Sequence, residues 1–292
     1  MEEREELGYS EDSNGGRIDV KKYNLFWLRN VECLLKIIVW FRKVVIVMNS
    51  IIRENIEKHM QDLKNWLEEI EDVDLEEMDQ FFSDRLSGYE EHMSVWKAAY
   101  QRFAKLIPAE CKKLLDLGCG TGLELDEIWK ENPDISVVGV DLCRSMLEKL
   151  MEKHHDKKLE TVCADYFQYD FGEEQWDAVI SFESLHHFMP EEKKKLYKKI
   201  YDSLKSGGKF MLGDYIACCD EEEELLRKVY FEKRKRSAIP EGVFVHFDIP
   251  LTLEHELEVL EEAGFNSVEH AESIDGATIL VLKKVEDLIE SR

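Results

Sequence analysis

The sequence lacks any C-x-x-C pair, although it contains seven cysteines. Structural zinc sites and small disulfide frameworks both depend on cysteines at short, repeated spacings. Their absence predicts reduced thiols, a cytoplasmic location and no metal site. We expect a hydrophobic core to hold the chain together instead, since 44% of the residues are hydrophobic.

Long hydrophobic runs are also missing. An apolar stretch at residues 25–52 is interrupted by charges before it reaches the roughly 20 residues that a membrane helix needs. The interrupting residues are Arg29, Glu32, Lys36, Arg42 and Lys43. No small-residue cleavage site follows, so neither a membrane span nor a secretory signal is predicted. The basic character of residues 17–43 leaves a membrane-surface or partner helix open as an alternative.

Positive charge is scarce. The chain has 39 Lys and Arg residues against 63 Asp and Glu residues, which gives a net charge of -24. Such a surface repels polyphosphates and anionic membranes unless a local basic patch overrides it. A nucleic-acid partner is therefore disfavoured, and a small molecule is the expected partner. Two basic clusters, at residues 193–195 and 233–236, keep the nucleic-acid alternative open.

The amino-terminal third has two parts. Residues 1–47 differ in composition from everything that follows, and we interpret them as an extraneous or flexible extension, with Met48 as an alternative start. Residues 48–110 contain apolar residues at helical spacing over 51–70 and again over 93–106. They are predicted to form a helical cap.

From residue 111 onward, short apolar runs alternate with helical patterns. The runs cover residues 113–118, 136–141, 159–165, 176–182 and 209–215. The helical patterns cover residues 123–130, 145–153, 191–204 and 250–263, and apolar stretches around Val268 and 278–282 resemble a closing antiparallel pair. This alternation predicts an α/β fold with a doubly wound, mostly parallel sheet and helices on both faces.

A glycine-rich turn follows the first of these strands. Its sequence is LLDLGCGTG, in which Gly118, Gly120 and Gly122 let a ligand approach the backbone without meeting a Cβ atom. Asp141 ends the second strand, where a carboxylate can accept hydrogen bonds from the hydroxyls of a ribose. A dinucleotide fingerprint would need glycine at the position of Leu123. The pattern therefore favours a nucleoside-bearing cofactor other than NAD.

These features resemble the class I S-adenosylmethionine-dependent methyltransferases, in particular a small bacterial subgroup whose substrates are not assigned. The resemblance rests on LLDLGCGTG, VVGVDLCRSML, CADYFQYDF, WDAVISFESLHHF and LKSGGKFMLGDY, which occur in that order over residues 114–283. It implies a Rossmann-like sheet of seven strands with an antiparallel last strand. It also implies that S-adenosyl-L-methionine is the cofactor and methyl transfer the reaction.

The resemblance divides the remaining chain as well. Residues 111–285 would form the cofactor-binding catalytic domain, with residues 216–250 inserted as an acceptor lid and 286–292 as a tail. Ser184 would lie near the sulfonium and the acceptor. The residues that the resemblance assigns to the cofactor site are Asp116, Gly118, Cys119, Gly120, Gly122, Asp141, Leu142, Asp165, Tyr166 and Glu183.

Four polar residues follow the fourth and fifth predicted strands. His186, His187, Asp214 and Tyr215 come at the carboxyl end of the sheet, where folds of this kind bind their ligands. Methyl transfer depends on alignment and exclusion of water, and it needs a base only if the nucleophile arrives protonated. We name these four as catalytic candidates, because either histidine can take a proton or orient a hydroxyl. Ordinary packing or helix capping is the alternative for each.

Tyr89, Tyr215, His246 and Asp248 are the candidates for binding the methyl acceptor. His246 and Asp248 belong to the inserted segment, for which a purely apolar lid over the cofactor is the alternative. Tyr89 and Trp96 precede the sheet, in a helix that typically closes over the cofactor in this family. Sequence order also puts the acidic residues Glu183, Asp214 and Asp248 toward the acceptor side, where they would repel a polyanion. We therefore expect a small neutral or cationic acceptor with a nitrogen, oxygen or sulfur nucleophile.

Three other functions stay open at this point. The basic clusters leave room for tRNA methylation, although the total charge opposes it. The glycine loop and Asp141 argue for cofactor binding only, so a non-catalytic S-adenosylmethionine-binding module is an alternative. A relative that modifies the cofactor itself would share the same fold.

Overall fold

The computed structural model describes residues 9–11, 17–19, 53, 55–240 and 242–285. The chain divides into two compact units, Met1–Asn49 and Ser50–Arg292. In the first unit, two short strands pair antiparallel, Tyr9–Glu11 with Arg17–Asp19. The rest of the predicted amino-terminal extension and the predicted tail lie outside the described residues. No helix in the described part of the chain is long and apolar enough to cross a bilayer.

Seven strands of the second unit form one sheet. They are β1 (Lys113–Leu117), β2 (Ser136–Asp141), β3 (Leu159–Cys163), β4 (Trp176–Phe182), β5 (Leu204–Tyr215), β6 (Val268–Ile274) and β7 (Ala277–Lys283). Their spatial order is β3-β2-β1-β4-β5-β7-β6. The pairs from β3 to β5 are parallel, whereas β7 is antiparallel to both β5 and β6. The predicted doubly wound sheet with an antiparallel last strand is confirmed.

The central strands are apolar on both faces because helices cover both faces of the sheet. Leu114, Leu115 and Leu117 of β1 are fully buried. The strand order reverses between β1 and its neighbours β2 and β4. Such a switch point opens a crevice at the carboxyl ends of the strands, and the glycine loop lies there.

The described residues of the second unit contain eight α-helices. They are α1 (Ile56–Glu69), α2 (Met78–Met93), α3 (Lys97–Leu106), α4 (Leu123–Glu131), α5 (Arg144–Lys153), α6 (Pro190–Ser203), α7 (Asp220–Arg236) and α8 (Leu253–Glu262). The side chain of Asn55 caps α1 by accepting from the backbone N of Lys58. The single helix predicted over residues 93–106 is wrong in its first turn, because a 3₁₀ turn at Ser94–Trp96 separates α2 from α3.

Helices α1 and α7 and the segment at residues 243–249 share a small hydrophobic core beside the sheet. Its buried members are Leu67, Leu226, Tyr230, Val245, Phe247 and Ile249. This core joins the inserted segment to the helices that precede the first strand. It holds residues 243–249 in place, and Phe244 and His246 of this segment line the crevice.

The basic cluster at residues 233–236 holds these elements together. Lys233 is only 4% exposed and donates from Nζ to the carbonyl oxygens of Ile70 and Val73, at 2.6 and 2.7 Å, just beyond the end of α1. A cation is favoured at that end of a helix. Arg234 and Arg236 also donate to backbone carbonyls. Lys233 is therefore a buried structural cation and not part of an exposed basic patch.

Candidate functional site

The loop between β1 and α4 needs glycine for its conformation and for close contacts. The φ angles of Gly118, Gly120 and Gly122 are 74°, 45° and 74°, which side chains rarely allow. A Cβ atom at Gly118 would stand 2.1 Å from Oγ of Ser184. One at Gly122 would stand 2.4 Å from Cδ1 of Leu150. Any larger residue at these positions would move the loop.

Asp141 at the end of β2 anchors the loop. Its Oδ2 accepts from the backbone N of Gly120 at 2.8 Å, and its Oδ1 accepts from the backbone N of Cys143 at 2.7 Å. Burial raises the pKa of Asp141 above its ordinary value, although these backbone hydrogen bonds oppose the shift. Each carboxylate oxygen has a second lone pair, so Asp141 can still accept hydrogen bonds from two hydroxyl groups.

A cavity of about 670 Å³ empty volume adjoins this loop, and we call it the loop cavity. Seven of the predicted cofactor residues line it: Gly118, Gly120, Asp141, Leu142, Asp165, Tyr166 and Glu183. Ser184 and Tyr89 line it as well. Leu142 is 38% exposed, so it offers an apolar surface on which a flat ring can pack.

Three other predicted cofactor residues do not line the loop cavity. Cys119 is buried against Gly139, and Gly122 packs on Leu150 where α4 begins. Asp116 is fully buried behind the loop. These three residues shape the loop from behind.

Asp116 lies beside Glu124, which makes a buried pair of carboxyl groups. Burial raises the pKa of Asp116 well above its ordinary value, and the charge of Glu124 adds to the shift. Burial also raises the pKa of Glu124, to about 7, although Asp116 opposes this by hydrogen bonding. The pair therefore retains a proton near neutral pH, because two adjacent buried carboxylates would repel each other.

A second cavity opens beside the first, and we call it the chamber. Its empty volume, including open solvent, is about 1720 Å³. The chamber and the loop cavity share Phe82, Tyr89, Glu183 and His187 as a common wall. The predicted residues His186, Tyr215, His246 and Asp248 and the cap residue Trp96 also line the chamber.

His186 lies between two carboxylates. Its Nδ1 is 2.5 Å from Oδ1 of Asp214, which is fully buried, and its Nε2 is 3.4 Å from Oδ1 of Asp248. Burial alone would lower the pKa of His186, but Asp214 and Asp248 raise it well above its ordinary value. His186 is thus a cation at neutral pH. Asp214 does not line either cavity and acts through His186.

His187 differs from its neighbour. Its Nδ1 is 3.2 Å from the carbonyl oxygen of Phe247 and 3.3 Å from Oδ1 of Asp248. Burial and the charge of His186 lower the pKa of His187 below its ordinary value. It is therefore neutral at pH 7. With Nδ1 donating to the carbonyl, the lone pair lies on Nε2.

Glu183 is strained and incompletely paired. Its φ angle of 48° lies in the left-handed region, which is uncommon for a residue with a side chain and concentrates at functional sites. Among the described residues, its Oε1 has no hydrogen-bond partner. Burial raises the pKa of Glu183 to about 8. A positive group arriving in either cavity would favour its ionised form.

Two overlapping sets of side chains at or behind the chamber wall have the composition of metal ligands. They are His186, His187 and Asp248, and Glu183, His186 and Asp214, each with ligand atoms within 4.8 Å of one another. Nδ1 of His186 already has Asp214 as its partner, and Nδ1 of His187 has Phe247. We assign no ion to either set, and the expectation of no metal stays a prediction.

The chamber also contains residues that sequence reasoning missed. Phe81 stacks on His246 with ring centroids 3.5 Å apart, and the guanidinium of Arg85 lies 3.7 Å from the ring centroid of Phe81. Arg53 lies 5.6 Å over the ring of Tyr215. Burial lowers the pKa of His246 to about 3, so this ring is neutral. The pair Phe81 and Phe82 was the only sequence signal for this wall, and it resembled ordinary helix packing.

Comparison with known proteins extends these observations. A family model described as a methyltransferase domain matches residues 114–208. A carboxy-S-adenosyl-L-methionine synthase of Campylobacter fetus is 30% identical over 167 residues, which cover 54% of this chain and 70% of that protein.

Solved structures show the same fold. A candidate O-methyltransferase of Nostoc punctiforme superposes with a TM-score of 0.52 at 24% identity, over 66% of this chain and 58% of that one. Human N-acetylserotonin methyltransferase in complex with S-adenosylmethionine gives a TM-score of 0.52 at 19% identity, over 68% of this chain and 55% of that one. The predicted methyltransferase fold and cofactor class are confirmed.

Proposed function

Because the chain belongs to the class I S-adenosylmethionine-dependent methyltransferase family, we propose that it transfers a methyl group to a small molecule held in the chamber. The observation that carries this proposal is the common wall of the two cavities, formed by Phe82, Tyr89, Glu183 and His187. A cofactor in the loop cavity and an acceptor in the chamber would meet across these four side chains. Alignment of this kind supplies much of the acceleration of a displacement reaction.

The shape and polarity of the loop cavity support the cofactor. S-adenosylmethionine, when bound, supplies a methyl group that is already activated by a positively charged sulfur. Gly118 and Gly120 bring the backbone to the cavity wall, and Asp141 has lone pairs for the two ribose hydroxyls. Leu142 offers its exposed face to the adenine. Glu183, with its unpartnered oxygen, lies where a positive charge would be stabilised.

We assign the role of base to His187. It is neutral, it lines both cavities, and its Nε2 is free of the proton that Nδ1 donates to Phe247. His186 is already protonated by its two carboxylate partners, so it is a poor proton acceptor. It instead fixes the position of Asp248 at the chamber wall.

A small acceptor is favoured over RNA. The chamber carries the ionised carboxylate of Asp248, which opposes a phosphate. Of the basic cluster at residues 233–236, Lys233 is buried, and Arg234 and Arg236 spend part of their donors on backbone carbonyls, which weakens the cluster as a phosphate-binding surface. We therefore propose that the methyl acceptor is a neutral or cationic small molecule.

The predicted domain boundaries belong to this proposal. Residues 48–110 would act as the helical cap and residues 111–285 as the catalytic domain, with 216–250 as the acceptor lid. The shared core of α1, α7 and residues 243–249 supports this division, because it joins cap and lid around the chamber.

Formation of a carboxylated cofactor is the second candidate. The name of the Campylobacter fetus relative favours it. A product with an added carboxylate would need a cation beside the methyl position, and Arg53 is a cation on the chamber wall. The ionised carboxylate of Asp248 on the same wall opposes an added carboxylate.

The direct test uses S-adenosylmethionine with an isotope label in its methyl group. Purified protein is incubated with this donor and fractionated small metabolites, and separately with bulk RNA. We expect the label in a small molecule and none in RNA, with transfer strongly reduced in His187→Gln and retained in the matched surface variant His155→Gln. Label in RNA alone would reject the small-acceptor proposal.

A further inference from the structure

Tyr215 lines the chamber, but its hydroxyl is committed to a partner behind the wall. The O–H donates to Oε1 of Glu222 on α7. The same Oε1 lies 2.5 Å from Nε2 of His59 on α1, and Oε2 accepts from the backbone N of Cys218 at 2.5 Å. Glu222 is fully buried. Its two oxygens thus serve three donors.

The direction of the bond between Tyr215 and Glu222 is fixed by charge. Burial alone would raise the pKa of Glu222, but hydrogen bonds from His59, Tyr215 and Cys218 lower it below its ordinary value. An ionised carboxylate can only accept hydrogen bonds. Burial and the charge of Glu222 raise the pKa of Tyr215 far above its ordinary value, so the phenol keeps its proton. Toward the chamber, the phenol oxygen therefore offers only lone pairs.

Neighbouring groups reinforce this polarity. Two histidines lower the pKa of Asp248 well below its ordinary value, despite the opposing effect of burial. Asp248 is hence a second group on the chamber wall that only accepts. Phe81, Phe82 and Trp96 supply an aromatic lining. Cations on the chamber wall oppose this arrangement: Arg53 over the ring of Tyr215, Arg85 and the protonated His186.

We propose that Glu222 and His59 hold the hydroxyl of Tyr215 so that, toward the chamber, it can only accept a hydrogen bond. The chamber then selects apolar or aromatic substrates whose nucleophilic atom carries its own hydrogen. Amines are favoured over alcohols, and both are favoured over carboxylates. This inference rests on the proposed methyl transfer. In that reaction the amine gives a proton to His187 and its lone pair forms the C–N bond. The electron pair of the broken C–S bond returns to sulfur.

Glu222→Gln should reverse the polarity of Tyr215. The backbone N–H of Cys218 can only donate, so it requires the amide oxygen of the new side chain on its side. The amide NH₂ then faces Tyr215 and His59. It donates to the phenol oxygen, and the phenol O–H is released toward the chamber. A donor would thus replace an acceptor on the wall with almost no change in volume.

Calorimetry on protein saturated with S-adenosylhomocysteine measures this preference without turnover. The probes are phenethylamine, phenethyl alcohol and phenylacetate, which differ in the polar group on one aromatic body. For the unmodified protein we expect the amine to bind about tenfold more tightly than phenylacetate. Glu222→Gln should weaken the binding of the amine and strengthen the binding of phenylacetate. Tyr215→Phe should lower the affinity for the amine and for the alcohol alike, by about tenfold.

Glu223→Gln is the matched control. Glu223 neighbours Glu222 on α7 and is also buried, but it accepts from the backbone N of Thr252 and contacts His255 outside the chamber. It should leave the order of the three probes unchanged. Tighter binding of phenylacetate than of the amine to the unmodified protein would overturn the inference and point to Arg53. The inference would also be overturned if Tyr215→Phe left the relative affinities of the three probes unchanged. Failure of the labelled transfer with intact amine selectivity would reject the proposed function alone.

Discussion

Nδ1 of His186 lies 2.5 Å from Oδ1 of Asp214, and both side chains are buried at the carboxyl ends of adjacent strands. This contact separates the roles of two consecutive histidines. It keeps His186 protonated and leaves His187 as the neutral ring at the wall between the cavities. A buried cation next to His187 also disfavours a second positive charge there.

The contact predicts distinct protonation states for the two rings. At pH 7 we expect His186 to be protonated on both nitrogens and His187 on one, because Asp214 raises the pKa of His186 whereas burial lowers that of His187. Ring nitrogen chemical shifts in labelled protein measure this directly. Asp214→Asn should shift only His186 toward the neutral form. A neutral His186 in the unmodified protein would contradict the assignment of His187 as base.

The carboxyl pair behind the glycine loop predicts a pH dependence of stability. The folded-state pKa of Glu124, about 7, lies above the ordinary value of 4.5, so folding favours the protonated form. Stability from this group is highest at low pH and falls as the pH rises from about 4.5 to 7. Denaturant unfolding at a series of pH values should show this fall, worth on the order of 3 kcal/mol.

Glu124→Gln tests the origin of that fall. The variant cannot ionise at position 124, so its unfolding free energy should depend less on pH across the same range. Glu127→Gln, on the same helix, supplies the comparison, since the partly buried Glu127 side chain pairs with the exposed Lys130. An unchanged pH slope in Glu124→Gln would mean that another group causes it.

Asp141 predicts the strength of cofactor binding. Asp141→Ala removes the acceptor for the ribose hydroxyls and leaves the backbone N–H groups of Gly120 and Cys143 without their partner. We expect affinity for S-adenosylmethionine, measured by calorimetry, to fall by about a hundredfold. Asp134→Ala, at a side chain that is 95% exposed, should bind normally. Unchanged affinity in Asp141→Ala would remove this residue from the site.

Lys233 predicts a structural rather than a ligand-binding effect. Lys233→Ala removes a buried donor that serves the carbonyls of Ile70, Glu71 and Val73, so unfolding free energy should fall by about 1–3 kcal/mol. Lys235→Ala, at an exposed position of the same helix, should change it by less than about 0.5 kcal/mol. Salt-sensitive tRNA binding that both variants weaken would contradict the small-acceptor proposal.

The fold and the loop cavity were accessible from sequence because their signals are local. The run from Leu114 to Gly122 carries a buried strand, a turn and a helix start within nine residues, and Asp141 marks the end of the next strand. The early part of β5 was missed, since residues 204–208 include two glycines and resemble a turn. The alternation of apolar runs with helical patterns was enough to predict the rest of the sheet.

The chamber was less accessible because its contacts join distant parts of the chain. His59 and Glu222 are 163 positions apart, and Glu222 resembled one of several acidic residues on an exposed helix face. Lys233 likewise resembled a surface cation, although it reaches back to the end of α1. Arg53 has no motif around it. Such pairings follow from tertiary packing, which periodicity does not report.

The nucleoside product of turnover tests the central claim most directly. After incubation with S-adenosylmethionine and an extract of small metabolites, mass spectrometry identifies what the cofactor becomes. Methyl transfer across the wall of Glu183 and His187 predicts S-adenosylhomocysteine in equal amount to one methylated small molecule. A carboxylated S-adenosylmethionine, formed without any methylated acceptor, would contradict the claim and support the second candidate.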